Sequence, residues 1–461
     1  MSQRCRMAEL EEAVIFSEWR SLRHSSSRSL ARTRQLMRQL GYVPDAQEHL
    51  NIGVVGSKGK GTASAYATAA LAGLGQRVGT VMSPGVLSNA DRIRIDGAVV
   101  GEDARHRALV RIQQAKEQLP GPTVESGYLA PTGLFLLMGF LLFAEAGVDV
   151  VVAEAGIGGA SDDLSHWPLQ AVLVTSVFGE HLDILGPTVT DVARDKSAVI
   201  TAGTKLVVSY PQRPEVADII QRRCVEMSSR LILAGNDGAH TSGLPDRLTA
   251  HLPEGAPRLN AALGVTAALC LAGHGAAPML HHSVEFEPDG DIDGAIAENL
   301  ARAVGSVHYP GRLSVHAVPG SAGRDCVVDS AVSRHGLRSA LEFAGGTLGS
   351  AEQVLVCLPP GKDLAGFVAE LRAFSGRKVF VEMPGAYIGT PDRSDWPAGP
   401  DWVWIRLEDL GEQGVHRAPG SAQLLELLRR HKSLAVGTVL FTALALRTVG
   451  ADAGRLFSPP G

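Results

Sequence analysis

Cysteine is scarce in this chain. The five present (Cys5, Cys224, Cys270, Cys326 and Cys357) are odd in number, scattered among 461 residues and include no CxxC pair. That excludes a disulfide framework and a zinc site built on paired cysteines, and it suits reduced thiols in a cytoplasm. Long basic runs are missing too, and the net charge is −5, so nucleic acid and anionic membranes have no electrostatic footing as partners. The longest apolar run, Leu134 to Ala144, ends before Glu145 and is well short of the ~20 residues a membrane span needs. It reads as a buried helix. The N-terminus mixes Glu9, Glu11, Glu12 and Glu18 with its arginines, which fits neither a secretory signal nor a transit peptide. No internal repeat is visible.

What remains has the balance of a globular protein able to bury large cores, with 45% apolar and 20% charged residues. The length suits two or three domains at roughly 150 residues each. Residues 1 to about 40 read as helical with a polar break at Ser25–Arg28, before Gly41 and Pro44 stop the pattern. Near-continuous β-branched runs at Val148–Ala153 and Ala171–Val177, with Lys205–Ser209 after them, alternate with helical stretches and predict a parallel sheet buried on both faces. Arg92 to Ile95 alternates before an Asp96-Gly97 turn, and Asn260–Leu271 reads as a helix. A loose acidic region follows at Glu285–Asp293. A second α/β block opens near Leu313, with strands expected at Val327–Val328, Val354–Cys357, Val379–Val381 and Leu434–Val436. The expected domains are 1–308 and 309–461, the last four residues forming a frayed tail.

The segment Asn51–Ser64, NIGVVGSKGKGTAS, carries the clearest chemistry. Ile52, Val54 and Val55 suit a buried strand, and an Ala-rich helix follows the glycines. Gly56, Gly59 and Gly61 leave backbone N–H groups free to face an anion, Lys60 adds a full positive charge, and Thr62 offers a hydroxyl to magnesium. The pattern departs from the general phosphate-binding loop: no glycine stands five residues before Gly59, and Gly61 separates Lys60 from Thr62. A plain glycine turn is the alternative reading.

Two further positions stand at or near predicted strand ends, and a third on a predicted helix. Glu154 follows Val148–Ala153, where open parallel sheets bind ligands, and a carboxylate with a threonine hydroxyl and ATP phosphates makes a plausible magnesium shell. A solvated loop acid is the alternative. His181 follows the next strand, in Phe178-Gly179-Glu180-His181; a surface histidine is its plain reading. Lys196 lies on an otherwise apolar helical face in TDVARDKSAVI, where a lysine usually snorkels to solvent.

Taken together, GSKGKGT, DRIRIDG, VVVAEAGIGGASDD and SVFGEHLDILGPTVTDVARDKSAVI resemble the folylpolyglutamate/dihydrofolate synthase branch of the Mur ligase superfamily. PRLNAALGVTAALCLAG and YPGRL extend the likeness, with weaker echoes in VVDSA and PGKDLA. The resemblance is dense through the first 200 residues and thin in the second domain. It implies an α/β fold: a P-loop ATPase domain with a central, mostly parallel sheet, and a smaller Rossmann-like domain, with ATP between them. It also implies a ligase that uses ATP to convert a carboxylate into an acyl phosphate, which an amino-acid amine attacks. The implied cofactors are ATP and Mg2+, the partners small-molecule acid and amino acid, and the expected state a monomer.

Carried over by residue, the ATP-binding positions are Gly56, Ser57, Lys58, Gly59, Lys60, Gly61, Thr62, Asn260, Arg312 and Asp329. Lys60 would hold the β- and γ-phosphates. Thr62, Glu154 and His181 would bind a first magnesium, and Lys196, carbamylated in this family, a second. Lys60, Glu154, His181 and Lys196 are the implied catalytic set, with Ser83, Asp91, Arg92, Lys362 and Asp363 toward the substrates. The departures are concentrated on that substrate side. Gly85 replaces a histidine after Ser83-Pro84, a Phe-Glu pair before Val148 gives way to apolar residues and Gly133, and Ala160 replaces an arginine. Pro257 replaces a glutamine, and Asp329-Ser330-Ala331-Val332-Ser333 is a reduced second-domain motif. These changes leave three readings open: a folate-type ligase, a specialised ligase for another acid, or an idle nucleotide-binding paralogue. They also imply a more apolar substrate pocket that takes folates poorly.

Overall fold

The computed structural model describes residues 3–234, 243–273, 294–321, 323–383, 389–407 and 422–458. The expected acidic region Glu285–Asp293 and all but Ser458 of the expected tail lie outside these. The chain divides into two compact units. The first comprises Met1–Ser83, Ala90–Val307 and Arg455–Gly461, and the second Pro84–Asn89 and His308–Gly454.

In the first unit eight strands form one sheet: β1 (Leu50–Val55), β2 (Val78–Val81), β3 (Ile93–Ile95), β4 (Ala98–Val99), β5 (Val150–Glu154), β6 (Ala171–Val174), β7 (Leu206–Ser209) and β8 (Arg230–Leu233). Their spatial order is β4-β3-β2-β5-β1-β6-β7-β8. From β2 to β8 every pairing is parallel, while β3 and β4 add an antiparallel hairpin at one edge. The hairpin turns through Asp96 and Gly97, both at positive φ, the conformation that favours Gly and Asp in two-residue turns. Central strands β5, β1 and β6 lie side by side, with Val54 opposite Glu154 and Val55 opposite Val174. Strand order thus brings the C-terminal ends of all three to one edge, the place where such sheets bind ligands.

The buried helix Pro131–Ala146 begins with proline in its first turn and ends at Gly147 in the left-handed region, the usual start and stop signals. Its Phe140 stacks on Trp167 with ring centres 4.3 Å apart. It buries Leu134, Phe135, Leu136, Leu137, Met138, Phe140, Leu141, Leu142 and Phe143, each worth roughly 1.5–3 kcal/mol of transfer free energy. The helix Ala256–Leu271 crosses Lys60–Gly73 at Gly264, where a Cβ would collide with the carbonyl of Ala63 and the backbone nitrogen of Ala67. The N-terminal helices are tied down by Glu18. Its carboxylate meets Arg32 at 3.2 Å and Lys116 at 3.7 Å, and accepts from the Leu129 backbone at 2.9 Å.

The second unit has a six-stranded sheet of β9 (Ser314–Ala317), β10 (Asp325–Asp329), β11 (Gln353–Cys357), β12 (Arg377–Glu382), β13 (Trp402–Arg406) and β14 (Ser433–Gly437). Its order is β13-β12-β11-β14-β10-β9, parallel except for β9. All four strands expected in this block are present. Strands β9 and β13 were not expected: β9 alternates buried and exposed residues, and β13 is only half-buried, so neither carries a continuous apolar run.

Candidate active site

Strand β1 ends in the glycine loop, and the helix Lys60–Gly73 starts immediately after it. Two glycines in the loop are required by close approach. Gly56, at φ +139°, lies against the Thr175 side chain, and Gly59, at φ +92°, lies against the Asn260 amide. Any Cβ would collide at either position, besides adopting a backbone that favours glycine. Asn260 donates its Nδ2 to the Ala256 carbonyl at 2.6 Å. Its buried Oδ1 has no hydrogen-bond partner, an open acceptor sealed against the loop. Ser57 is held by the start of the next segment: its hydroxyl donates to the Phe178 carbonyl at 3.0 Å and accepts from the Phe178 N–H at 3.1 Å. The Lys58 carbonyl accepts from the Ser176 hydroxyl at 3.3 Å.

Two lysines converge on this loop. Lys60 Nζ donates to the Gly56 carbonyl at 3.0 Å, and Lys196 Nζ, from the helix Val189–Ser197, donates to the same oxygen at 2.9 Å. Lys196 also pairs with Glu180 at 2.9 Å. Only 1% of Lys196 is exposed, so it does not snorkel. Burial holds its pKa below the ordinary lysine value; Glu180 opposes that shift and the Lys60 charge reinforces it.

At the end of β5, Glu154 is 4% exposed and accepts from the Ser83 N–H at 3.1 Å. The Ser83 hydroxyl in turn accepts from Arg92 at 3.3 Å, and the Arg92 guanidinium lies over the Phe135 ring at 4.5 Å. Asp91 is buried, and its carbonyl accepts from the fully buried Arg94 at 2.9 Å. Thr62 is half-buried in the first turn of its helix. His181 is exposed and has φ +48°, a left-handed conformation uncommon outside glycine. Among the described residues no group of three or more His, Cys, Asp or Glu forms a metal cage. One buried carboxylate, Glu154, and one hydroxyl, Thr62, are the kind of hard oxygen donors that suit a cation which keeps several waters.

In the second unit Arg312 donates to the Gly311 carbonyl at 3.0 Å and to the Ser330 hydroxyl, and Asp329 accepts from the Leu313 N–H at 2.9 Å. Lys362 is exposed. Asp363 caps the helix Leu364–Leu371, accepting from the backbone of Gly366 at 2.9 Å and of Arg334 at 2.8 Å.

Sequence reasoning missed several charged groups around the site. Glu180 was passed over beside His181 yet is the partner of Lys196, and Asp195 stands next to that lysine. Arg28 donates to the Ile157 carbonyl at 2.7 Å, to the Ser161 hydroxyl at 3.1 Å and to Asp162 at 3.2 Å, bringing a guanidinium to the loop from which position 160 has lost one. Asp163 is buried against Gly133, with His166 Nε2 3.9 Å from its carboxylate. Burial, with the charge of Asp162 adding to it, pushes its pKa up to about 7.

No family model matches the chain. Curated relatives do. The dihydrofolate synthase/folylpolyglutamate synthase of Escherichia coli (strain K12) is 29% identical over 171 residues, 37% of this chain and 39% of that protein. The enzyme of the same description from Bacillus subtilis (strain 168) is 29% identical over 195 residues, 42% of this chain and 44% of that one. The chain therefore spans less than half the length of the curated relatives it matches. Likeness of fold reaches further: the Mycobacterium tuberculosis folylpolyglutamate synthase complexed with ADP superimposes with a TM-score of 0.73 at 19% identity, covering 96% of this chain and 99% of that one. Over part of its length the chain is thus similar to folylpolyglutamate/dihydrofolate synthases, and it shares the fold of the solved folylpolyglutamate synthases.

Proposed function

We propose that the protein is an ATP-dependent carboxylate–amine ligase. The observation that carries this reading is the convergence of Lys60 and Lys196 on the Gly56 carbonyl, beside an unpartnered Asn260 oxygen and one strand away from Glu154. A glycine turn with no ligand has no use for two ammonium groups from different helices and a sealed, unsatisfied acceptor.

In this reading a carboxylate oxygen of the acid attacks the γ-phosphorus of ATP, the bond to the β,γ-bridging oxygen breaks, and ADP leaves. An amino-acid amine then attacks the acyl carbon of the resulting mixed anhydride. Phosphate departs with the C–O bonding pair, and the amine nitrogen gives up a proton. Both partners of the first step are anions, so its barrier falls chiefly by charge neutralisation and positioning. Lys60 serves the β- and γ-phosphates, Asn260 contacts the nucleotide, and Glu154, Thr62 and His181 would hold Mg2+. The metal supplies Lewis-acid stabilisation of the phosphoryl oxygens. Lys196, buried and depressed in pKa, is the amine on which a carbamate would form as a further oxygen ligand. By the resemblance, Arg312 and Asp329 would also contact the nucleotide. The enzyme acts on small molecules as a cytoplasmic monomer, with no nucleic-acid or membrane partner.

The acid is not a folate in our reading. Gly85 stands where the resemblance expects a histidine, and a site that has lost a polar partner discriminates against the substrate that used it. The test is a phosphate-release screen over pairs of carboxylic acids and amino acids, with dihydropteroate and tetrahydrofolate included. Turnover that requires both an acid and an amine, and is weak with the two pteridine acids, is the expected outcome. Efficient glutamylation of a folate would return the chain to the housekeeping role. ATP binding without turnover on any pair would favour the idle paralogue.

A further inference from the structure

Asp195 lies in the last turn of the helix Val189–Ser197, where the helix dipole disfavours an acid. Its carboxylate compensates through donors from one loop. It accepts from the Gly159 N–H at 3.2 Å, from the Ser161 N–H at 3.2 Å, and from the Ser161 hydroxyl at 2.7 Å. The Ala160 N–H adds a bond of 3.0 Å to the Asp195 carbonyl. Contact at Gly159 is equally close: a Cβ there would come within 2.7 Å of the Asp195 and Lys196 carbonyl oxygens and 2.8 Å of the Lys196 Cα. This loop is the direct continuation of β5, five residues beyond Glu154. The loop that leaves the buried carboxylate is thus laid against the backbone of the buried lysine.

We propose that Asp195 is a positioning residue that locks Glu154 and Lys196 into one geometry by clamping the Gly158–Ser161 loop onto the lysine's helix. Asp195 touches no reacting group; it acts through the two residues that do. The catalytic consequence rests on the ligase reading, and the geometric one does not.

The experiment compares wild type, Asp195→Asn, Ser161→Ala and the double variant. Asparagine keeps the size but turns one acceptor into a donor facing the N–H groups of the loop. Three measurements are made on each: affinity for the ATP analogue AMPPCP with and without Mg2+, ATP turnover, and labelling of Lys196 by an amine-reactive sulfonate read by mass spectrometry. Asp195→Asn is expected to bind AMPPCP like wild type without metal and to lose about 10-fold of the magnesium-dependent gain. Its kcat should fall about 10–100-fold with little change in KM for ATP, the range found when groups supporting metal ligands are removed. Labelling of Lys196 should rise several-fold, and the two single substitutions should be non-additive. Unchanged Lys196 labelling in a folded Asp195→Asn protein overturns the clamp, whatever the activity. If wild type itself shows no turnover and no magnesium-dependent gain, the ligase reading fails while the labelling result still decides the clamp.

Discussion

The carboxylate of Asp163 fills the space that a side chain on Gly133 would need. The resemblance implies an acid in the helix that carries Gly133, and without it a more apolar wall is expected. The fold instead brings a carboxyl against Gly133 from the turn Asp163–His166. With burial pushing its pKa up to about 7 from 3.8, that carboxyl is largely a neutral acid below pH 7, not a standing charge.

Asp163 should make stability depend on pH in a defined direction. Its folded pKa is raised, so the native state holds the proton more tightly than the unfolded chain between pH 3.8 and about 7, and stability falls as pH rises through that window. His166, held down to about 4 from 6.5 by burial, slopes the opposite way, so wild type alone would hide both effects. Asp163→Asn removes one. The variant should gain on wild type as pH rises from 4 to 7, by up to a few kcal/mol, and the gain should level off above 7. Denaturant midpoints across pH 4–8 read this difference; parallel curves would refute it.

Removing charge from the phosphate edge should stop turnover without unfolding the protein. Lys60→Ala and Glu154→Gln are each expected to lower ATP turnover at least ~10²–10³-fold, the usual worth of one preorganised electrostatic contact. Phosphate release and thermal melting measured together check this. Near-normal turnover in either variant would remove the nucleotide assignment.

Lys196 should be sensitive to carbon dioxide. A carbamate forms when a neutral amine attacks CO2 and loses a proton, and burial depresses this amine's pKa, enlarging the neutral fraction. Turnover should fall in CO2-stripped buffer and return with bicarbonate. Lys196→Ala should be inactive and partly recovered by short carboxylates at high concentration, without bicarbonate. Full activity in the alanine variant would leave the lysine a structural role only.

Gly264→Ala should lower stability by about 1–3 kcal/mol, the common cost of forcing a methyl group into a packed crossing. The obstacles are backbone atoms of Ala63 and Ala67, which no rotamer change can move aside. A melting temperature equal to wild type would mean that the two helices separate at little cost.

The parts legible in the sequence were those written in consecutive residues. The glycine loop, its strand and its helix are local, and β5, β6 and β11 are continuous apolar runs. Edge strands such as β9 and β13 present a polar or half-exposed face and so give no such signal. Candidate residues can be named from the sequence, but their partnerships cannot. The residues alone suit a snorkelling Lys196 and only the resemblance gives it a site role; Glu180 and the Gly56 carbonyl hold it inside. Asp195 and Asp163 stand inside motif stretches and Arg28 in a polar break, but nothing in those patterns gives their partners; only the fold puts each beside the residue it contacts.

The Gly56 carbonyl is a single acceptor shared by two ammonium groups. In thermodynamic terms this makes phosphate occupancy and the protonation of Lys196 linked variables. An anion that draws Lys60 off the carbonyl and neutralises its charge leaves Lys196 the whole acceptor and relieves it of a repelling neighbour. Both changes favour the protonated amine, so nucleotide binding by the unmodified protein should take up protons near the lysine's depressed pKa. By reciprocity, lowering the pH through that range should tighten nucleotide binding.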